Sequence, residues 1–267
     1  MDILNRLPQL LSSAPVRSSV LLAALLASAA AAASTDEIQV YTDDINAVGE
    51  RGLELHVNTT PRGRSKPDYA GEIPPQHGMR VTPEFSWGIT ETLETGLYLP
   101  AMRDADGNYF LGGAKLRLKW VPQRAAEQGG WYFGANGEIS NLTKKFSESR
   151  ASTELRVMAG YRTRDWIIGF NPIFDWALSS GFRDSRPDTT YSWKAAHSVA
   201  EGVALGLEYY RDVGKLGRSP PIDQQDHVLY LALDVDRKPW VFNIGIGRGL
   251  TGGADAWTLK TIIDIPF

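Results

Sequence analysis

From residue 53 onward one pattern recurs: a run in which apolar and polar side chains alternate, then a break rich in Gly, Pro, Asn, Asp or Thr. A period of two is the signature of a β-strand, because successive side chains point to opposite faces. Twelve such runs are legible, at 53–61, 79–89, 93–102, 109–121, 131–142, 152–162, 166–178, 189–199, 203–212, 226–236, 240–250 and 256–267. The last is the plainest: Trp257, Leu259, Thr261, Ile263 and Ile265 fall on one side, and Lys260 and Asp264 on the other. The breaks alternate in length. Thr90-Glu91-Thr92, Thr163-Arg164-Asp165, Ala200-Glu201-Gly202 and Arg237-Lys238-Pro239 are tight, and Val121 to Gly130 is the one long member of that set; the intervening connections are longer or richer in turn residues. An even number of strands with short turns at one end and long loops at the other predicts an all-β fold, a transmembrane antiparallel β-barrel of 12 strands.

The segment ahead of the runs is of a different kind. Arg6 and Arg17 precede the apolar stretch Val20 to Ala27, and Ala31 and Ala33 supply small residues at the spacing of a cleavage site. Residues 1–33 therefore read as a secretory signal peptide, since the apolar core is shorter than the ~20 residues of a spanning helix. Its removal takes away Asp2, Arg6 and Arg17, moving the net charge from −3 to −4, which gives no reason to expect a nucleic-acid partner. Residues 34–52 are acidic and lack a strand period apart from Ile38 and Val40; we expect a periplasmic N-terminal lead-in that tucks into the barrel. Residues 53–267 form the barrel itself. The chain has no cysteine, so disulfides, thiolate metal sites and a thiol nucleophile are excluded.

Alternation alone does not say which face is inside. In a lipocalin-like barrel or a β-sandwich the apolar face is the core; in a membrane barrel it meets lipid. The eight tryptophans favour the membrane. Trp87, Trp120, Trp131, Trp166 and Trp240 lie beside the short turns, and Trp176, Trp193 and Trp257 towards the longer loops. Together with Phe267 they are the expected membrane-interface residues, arranged as two girdles. Trp166 and Trp176 share a face ten residues apart. At ~3.3 Å per residue and a tilt of about 45° they span roughly 23 Å, close to the ~25 Å apolar band of such barrels.

The other face then lines a lumen. Its expected lining is Glu54, His56, Arg80, Glu84, Glu94, Lys115, Arg117, Lys119, Glu138, Glu154, Arg156, Asp175, Lys194, Glu208, Lys260 and Asp264. Lys115, Arg117 and Lys119 make a ladder of cations on one strand. Left bare it would draw anions; we expect Glu84, Glu94 and Glu138 on nearby strands to neutralise it. In the first long loop, Arg62, Arg64 and Lys66 suit a constricting element or contact with the phosphates of lipopolysaccharide.

Enzymatic chemistry finds little support. A serine nucleophile and its base on one strand face need the spacing His-x-Ser, and none of His56, His77, His197 or His227 has a serine two residues on. Asp104-Ala-Asp106-Gly-Asn108 begins like an EF-hand, but Tyr109 stands where glycine is needed and Lys115 where glutamate is. Gly245-Ile-Gly247-Arg-Gly249 lacks the spacing of a dinucleotide loop. We expect no catalytic, cofactor-binding or metal-binding residues, and a chain that is not an enzyme.

Several stretches, Glu37-Ile-Gln-Val-Tyr41, Asp44-Ile-Asn46-Ala, Gly52-Leu-Glu-Leu-His56, Gly96-Leu-Tyr-Leu-Pro100, Gly113-Ala-Lys-Leu-Arg117 and Gly249-Leu-Thr-Gly252, together with the terminal Ile265-Pro-Phe267, carry a resemblance. The chain resembles bacterial outer-membrane β-barrels. In particular it resembles a group of proteobacterial envelope proteins, some of them named outer-membrane transporters or meta-pathway phenol-degradation proteins. The resemblance implies location in the outer membrane, contact with its lipids and lipopolysaccharide, and recognition of Phe267 by the barrel assembly machinery. It transfers no functional residue. The expected function is an outer-membrane channel or transporter passing small polar solutes through a charged lumen. The alternatives are a closed structural or surface-interaction barrel and, further off, an outer-membrane lipid hydrolase.

Overall fold

The computed structural model describes residues 37–266; the signal-peptide expectation and Phe267 lie outside the described residues. The strands are β1 (Arg51–Arg62), β2 (Met79–Thr90), β3 (Leu93–Tyr98), β4 (Ala101–Arg103), β5 (Tyr109–Leu111), β6 (Gly113–Gln123), β7 (Gly130–Leu142), β8 (Ala151–Arg162), β9 (Trp166–Ala177), β10 (Asp188–Ala200), β11 (Val203–Lys215), β12 (Asp226–Arg237), β13 (Trp240–Gly249) and β14 (Trp257–Asp264). Each wall strand pairs antiparallel with its neighbours, and β1 pairs with both β14 and β2, so the sheet closes. The wall has twelve strands. β4 continues the line of β3 along β2, and β5 pairs with β4 ahead of β6.

Two runs read as continuous in the sequence are thus broken. The third is interrupted at Leu99-Pro100, because proline has no N–H to donate to a ladder. The fourth is interrupted at Gly112, whose N–H bonds Pro100 O at 2.7 Å. The β4–β5 hairpin turns on Gly107, at φ 89°, with the Asn108 N–H donating to Asp104 Oδ1 at 2.8 Å. At the other end Thr163 Oγ1 accepts the N–H groups of Asp165 and Trp166 and folds β8 tightly into β9. Residues of these types hold turns because their side chains stand in for ladder partners.

The faces are inverted relative to a soluble barrel. On β6, Leu116, Leu118 and Trp120 are 51%, 48% and 52% exposed, whereas Lys115, Arg117 and Lys119 are 6%, 6% and 8% exposed. The apolar band continues sideways in register, from Leu207 to Leu231 to Ile246 to Leu259. Among the described residues no helix is long and apolar enough to cross a membrane. A closed sheet with an apolar outer face pairs its strands with one another and leaves the wall no free edge, as a hydrocarbon environment demands.

Trp87, Trp120, Trp131, Trp166, Trp240 and Trp257 are exposed on the outside, and Trp176 and Trp193 are half-buried among neighbours. Trp193 departs from the expected girdles. It stands sixth of the 13 residues of β10, stacked between Phe170 and Tyr209 at centroid distances of 5.2 and 5.3 Å.

Leu231→Arg places a charge midway along this outer band. We expect it to destabilise the barrel by about 2–4 kcal/mol, read as a lower denaturant midpoint in vesicle refolding, while an arginine at exposed Leu250, in the β13–β14 loop, changes little.

Candidate functional site

The inner face gathers its charges into layers. Arg117 donates from Nε to Glu84 Oε1 at 2.8 Å and from Nη2 to Glu94 Oε1 at 2.6 Å. His56 Nε2 lies 3.1 Å from Glu84 Oε2 and 3.8 Å from Glu54 Oε2. A second layer sets Lys115 3.2 Å from Glu138 and Arg156 3.1 Å from Glu154. In a third, Glu208 meets Lys260, lies 3.3 Å from Lys194 and accepts the Tyr210 hydroxyl at 2.6 Å.

Lys119 Nζ donates to the backbone oxygen of Asp44 at 2.6 Å, so every rung of the cation ladder is occupied. Arg80, Asp175 and Asp264 lie on the same face outside these layers: Arg80 over the Phe146 ring at 5.4 Å, Asp175 higher in the lumen, and Asp264 opposite Glu54. Buried charges persist only when paired in this way, since each isolated one costs several kcal/mol.

Through the middle of this lumen runs the N-terminal segment. Asn171 holds Tyr41 by both backbone groups, accepting its N–H at 2.6 Å and donating to its oxygen at 3.0 Å. The hydroxyls of Tyr41 and Tyr98 are 2.6 Å apart. Arg156 donates to Gln39 O, Lys260 to Ile38 O and Arg162 to Asp43 Oδ1; Asp43 Oδ2 takes the N–H of Ala125. Nearer the short turns, the Asn46 N–H donates to Glu94 and its amide to Ser86. Gly88 is required there: a Cβ would lie 2.1 Å from Ala47 O and 2.6 Å from Asn46 O. Residues 37–50 therefore pass from mid-lumen to the short-turn end, bonded to β2, β3, β6, β8, β9 and β14.

Glu37, the first of the described residues, lies 3.5 Å from Lys115 and 3.7 Å from Arg156. Burial pushes its carboxyl up, but the Arg156 guanidinium and the Lys115 ammonium outweigh that and hold it below the usual glutamate value. Above it lies a cavity of about 310 Å³. Arg64 from the first long loop lines it, bound to Asp68 and donating its N–H to Asp255 Oδ1 at 2.8 Å, so this loop folds over the mouth.

The sequence did not single out Asn171, Tyr41 or Tyr98; Arg162 is one of the charges it places on the inner face. Asn171 and Tyr98 occupy inward register positions, which the period marks, but nothing local pairs Asn171 with a tyrosine 130 residues earlier. Among the described residues Glu54, His56 and Glu84 bring three ligand atoms within 4.8 Å of one another. The Arg117 guanidinium already occupies Glu84, and a metal ion would have to displace that cation.

No family model matches the chain, and no curated protein matches it. Among solved structures it is similar to an outer-membrane channel from Pseudomonas putida F1, with a TM-score of 0.58 and 12% identity over 86% of this chain and 100% of that one. It is also similar to the NanC porin, with a TM-score of 0.51 and 10% identity over 80% of this chain and 100% of that one. At such identities the likeness is one of fold: a closed, porin-like outer-membrane barrel of twelve strands.

Proposed function

We propose that the chain is an outer-membrane channel or transporter for small polar solutes, gated by residues 37–50. One observation carries this reading: the polar lumen opens through a cavity at the long-loop end and is stopped by a segment that side chains of the wall hold along residues 38–46, with backbone bonds to β2 where Gly49 and Glu50 meet Gly88 beside β1. Such contacts are worth about 0.5–1.5 kcal/mol each, so the plug can leave without opening the wall. In this reading residues 1–33 are removed on export, Phe267 addresses the barrel to its assembly machinery, and the tryptophans and basic loops meet lipids and lipopolysaccharide. The sixteen inward charges and polar groups line the path. The second reading, a closed barrel whose loops do the work, draws on the ion pairs that fill the lower lumen.

Planar-bilayer recording separates the two. Asn171→Ala removes both bonds to the Tyr41 backbone at a cost of about 1–3 kcal/mol, so we expect the open fraction to rise on the order of tenfold. Folded protein that passes no current, with or without that substitution, would sink the channel reading.

Acid is expected to act in the same direction. A carboxylate whose docked value is depressed stabilises docking above its free value and loses that contribution as the pH falls through the docked one. Conductance should hold steady from pH 7 to 5 and rise below about pH 4, and Glu37→Gln should flatten that rise.

A further inference from the structure

The wall of the upper lumen carries carboxylates where strand physics disfavours them. Glu138 on β7 lies in register with Glu154 on β8, Glu154 with Asp175 on β9, and Asp175 with Asp188 on β10. Side chains opposite one another across an antiparallel pair point to the same face, and like charges so placed repel. Four adjacent strands thus present an unbroken acidic belt to the cavity.

Cations do not balance it. Lys115 serves both Glu138 and Glu37, Arg156 serves both Glu154 and Glu37, and Lys215 serves Asp188 at 2.7 Å. Five carboxylates therefore share three cations. Asp175, half-buried at the centre of the belt, has no ion pair or hydrogen bond among the described residues. Among the described residues that line the cavity, nine are carboxylates and five are basic.

A second observation comes from Glu37, which is not part of the belt. Glu37 lines the cavity and is 8% exposed, and both of its carboxylate oxygens are buried and accept no hydrogen bond. Buried acceptors left this way are costly unless a donor arrives. Lys115 and Arg156 approach Glu37 by charge only, at 3.5 and 3.7 Å.

We propose that this cavity binds a linear oligoamine, whose ammonium groups donate to the Glu138–Glu154–Asp175–Asp188 belt and to Glu37. Neighbouring strands are ~4.8 Å apart, so the belt spans about 14 Å, the length over which a short polyamine spaces its charges. The cavity's 310 Å³ suits a small organic ligand. Tyr69, Phe146, Phe182 and Tyr210 also line it and offer rings to methylenes and ammonium groups. As a substrate assignment it rests on the channel reading; as a binding site it stands apart from it.

Equilibrium binding of labelled spermidine to the full-length, detergent-purified barrel tests it, with citrate as the anionic counterpart. We expect one saturable spermidine site, weakened as salt is raised, and no citrate site. Asp175→Asn removes a charge without stranding a cation and should weaken binding about tenfold, with heat-modifiable gel migration reporting that the barrel is folded. Absence of saturable binding, equal binding by folded Asp175→Asn, or equal binding of citrate would overturn the assignment. Binding without conductance would overturn the channel and leave the site standing.

Discussion

Closure is the constraint on which the molecule depends. Every wall strand finds two partners because β1 pairs with β14 on one side and β2 on the other, leaving no edge. Once the sheet is a closed cylinder with an apolar exterior, half of each strand's side chains are confined to a narrow interior. Their charges cannot escape to bulk water, so they are resolved against one another. Arg117 between Glu84 and Glu94, and Glu208 between Lys260 and Lys194, are the outcome.

The same confinement explains why a segment with no strand pattern of its own has a fixed place. The lower lumen offers donors and acceptors at set heights, and an extended backbone has a carbonyl or an N–H to meet each of them. Asn171, Arg156, Lys119 and Lys260 all reach backbone atoms of residues 37–50. Holding the plug by its main chain leaves its side chains free for other partners, such as Tyr98 for Tyr41 and Arg162 for Asp43.

The wall was legible in the sequence because its rule is local. Leu116-Arg117-Leu118-Lys119-Trp120 states which side each residue takes, and the strands found in the structure begin and end within a few residues of the alternating runs. The breaks at Pro100 and Gly112 were passed over because alternation carries across them. Opposite charges on neighbouring strands could be anticipated as partners for the cation ladder. The plug was legible only as an acidic, aperiodic stretch; its course is set by residues as distant as Asn171 and Lys260, and no period records that. Trp193 shows the limit of reading a tryptophan by its place in a run, since stacking with Phe170 and Tyr209 holds it midway along β10.

The lumen's contents bear on how the barrel comes together. The closing seam joins the first wall strand to the last, with His56 opposite Ile262 and Asn58 opposite Lys260, and Lys260 also reaches Ile38. The interior, including the Lys260 bond that fixes Ile38, is therefore finished only when the final strand arrives. Contacts so distant along the chain make slow folders.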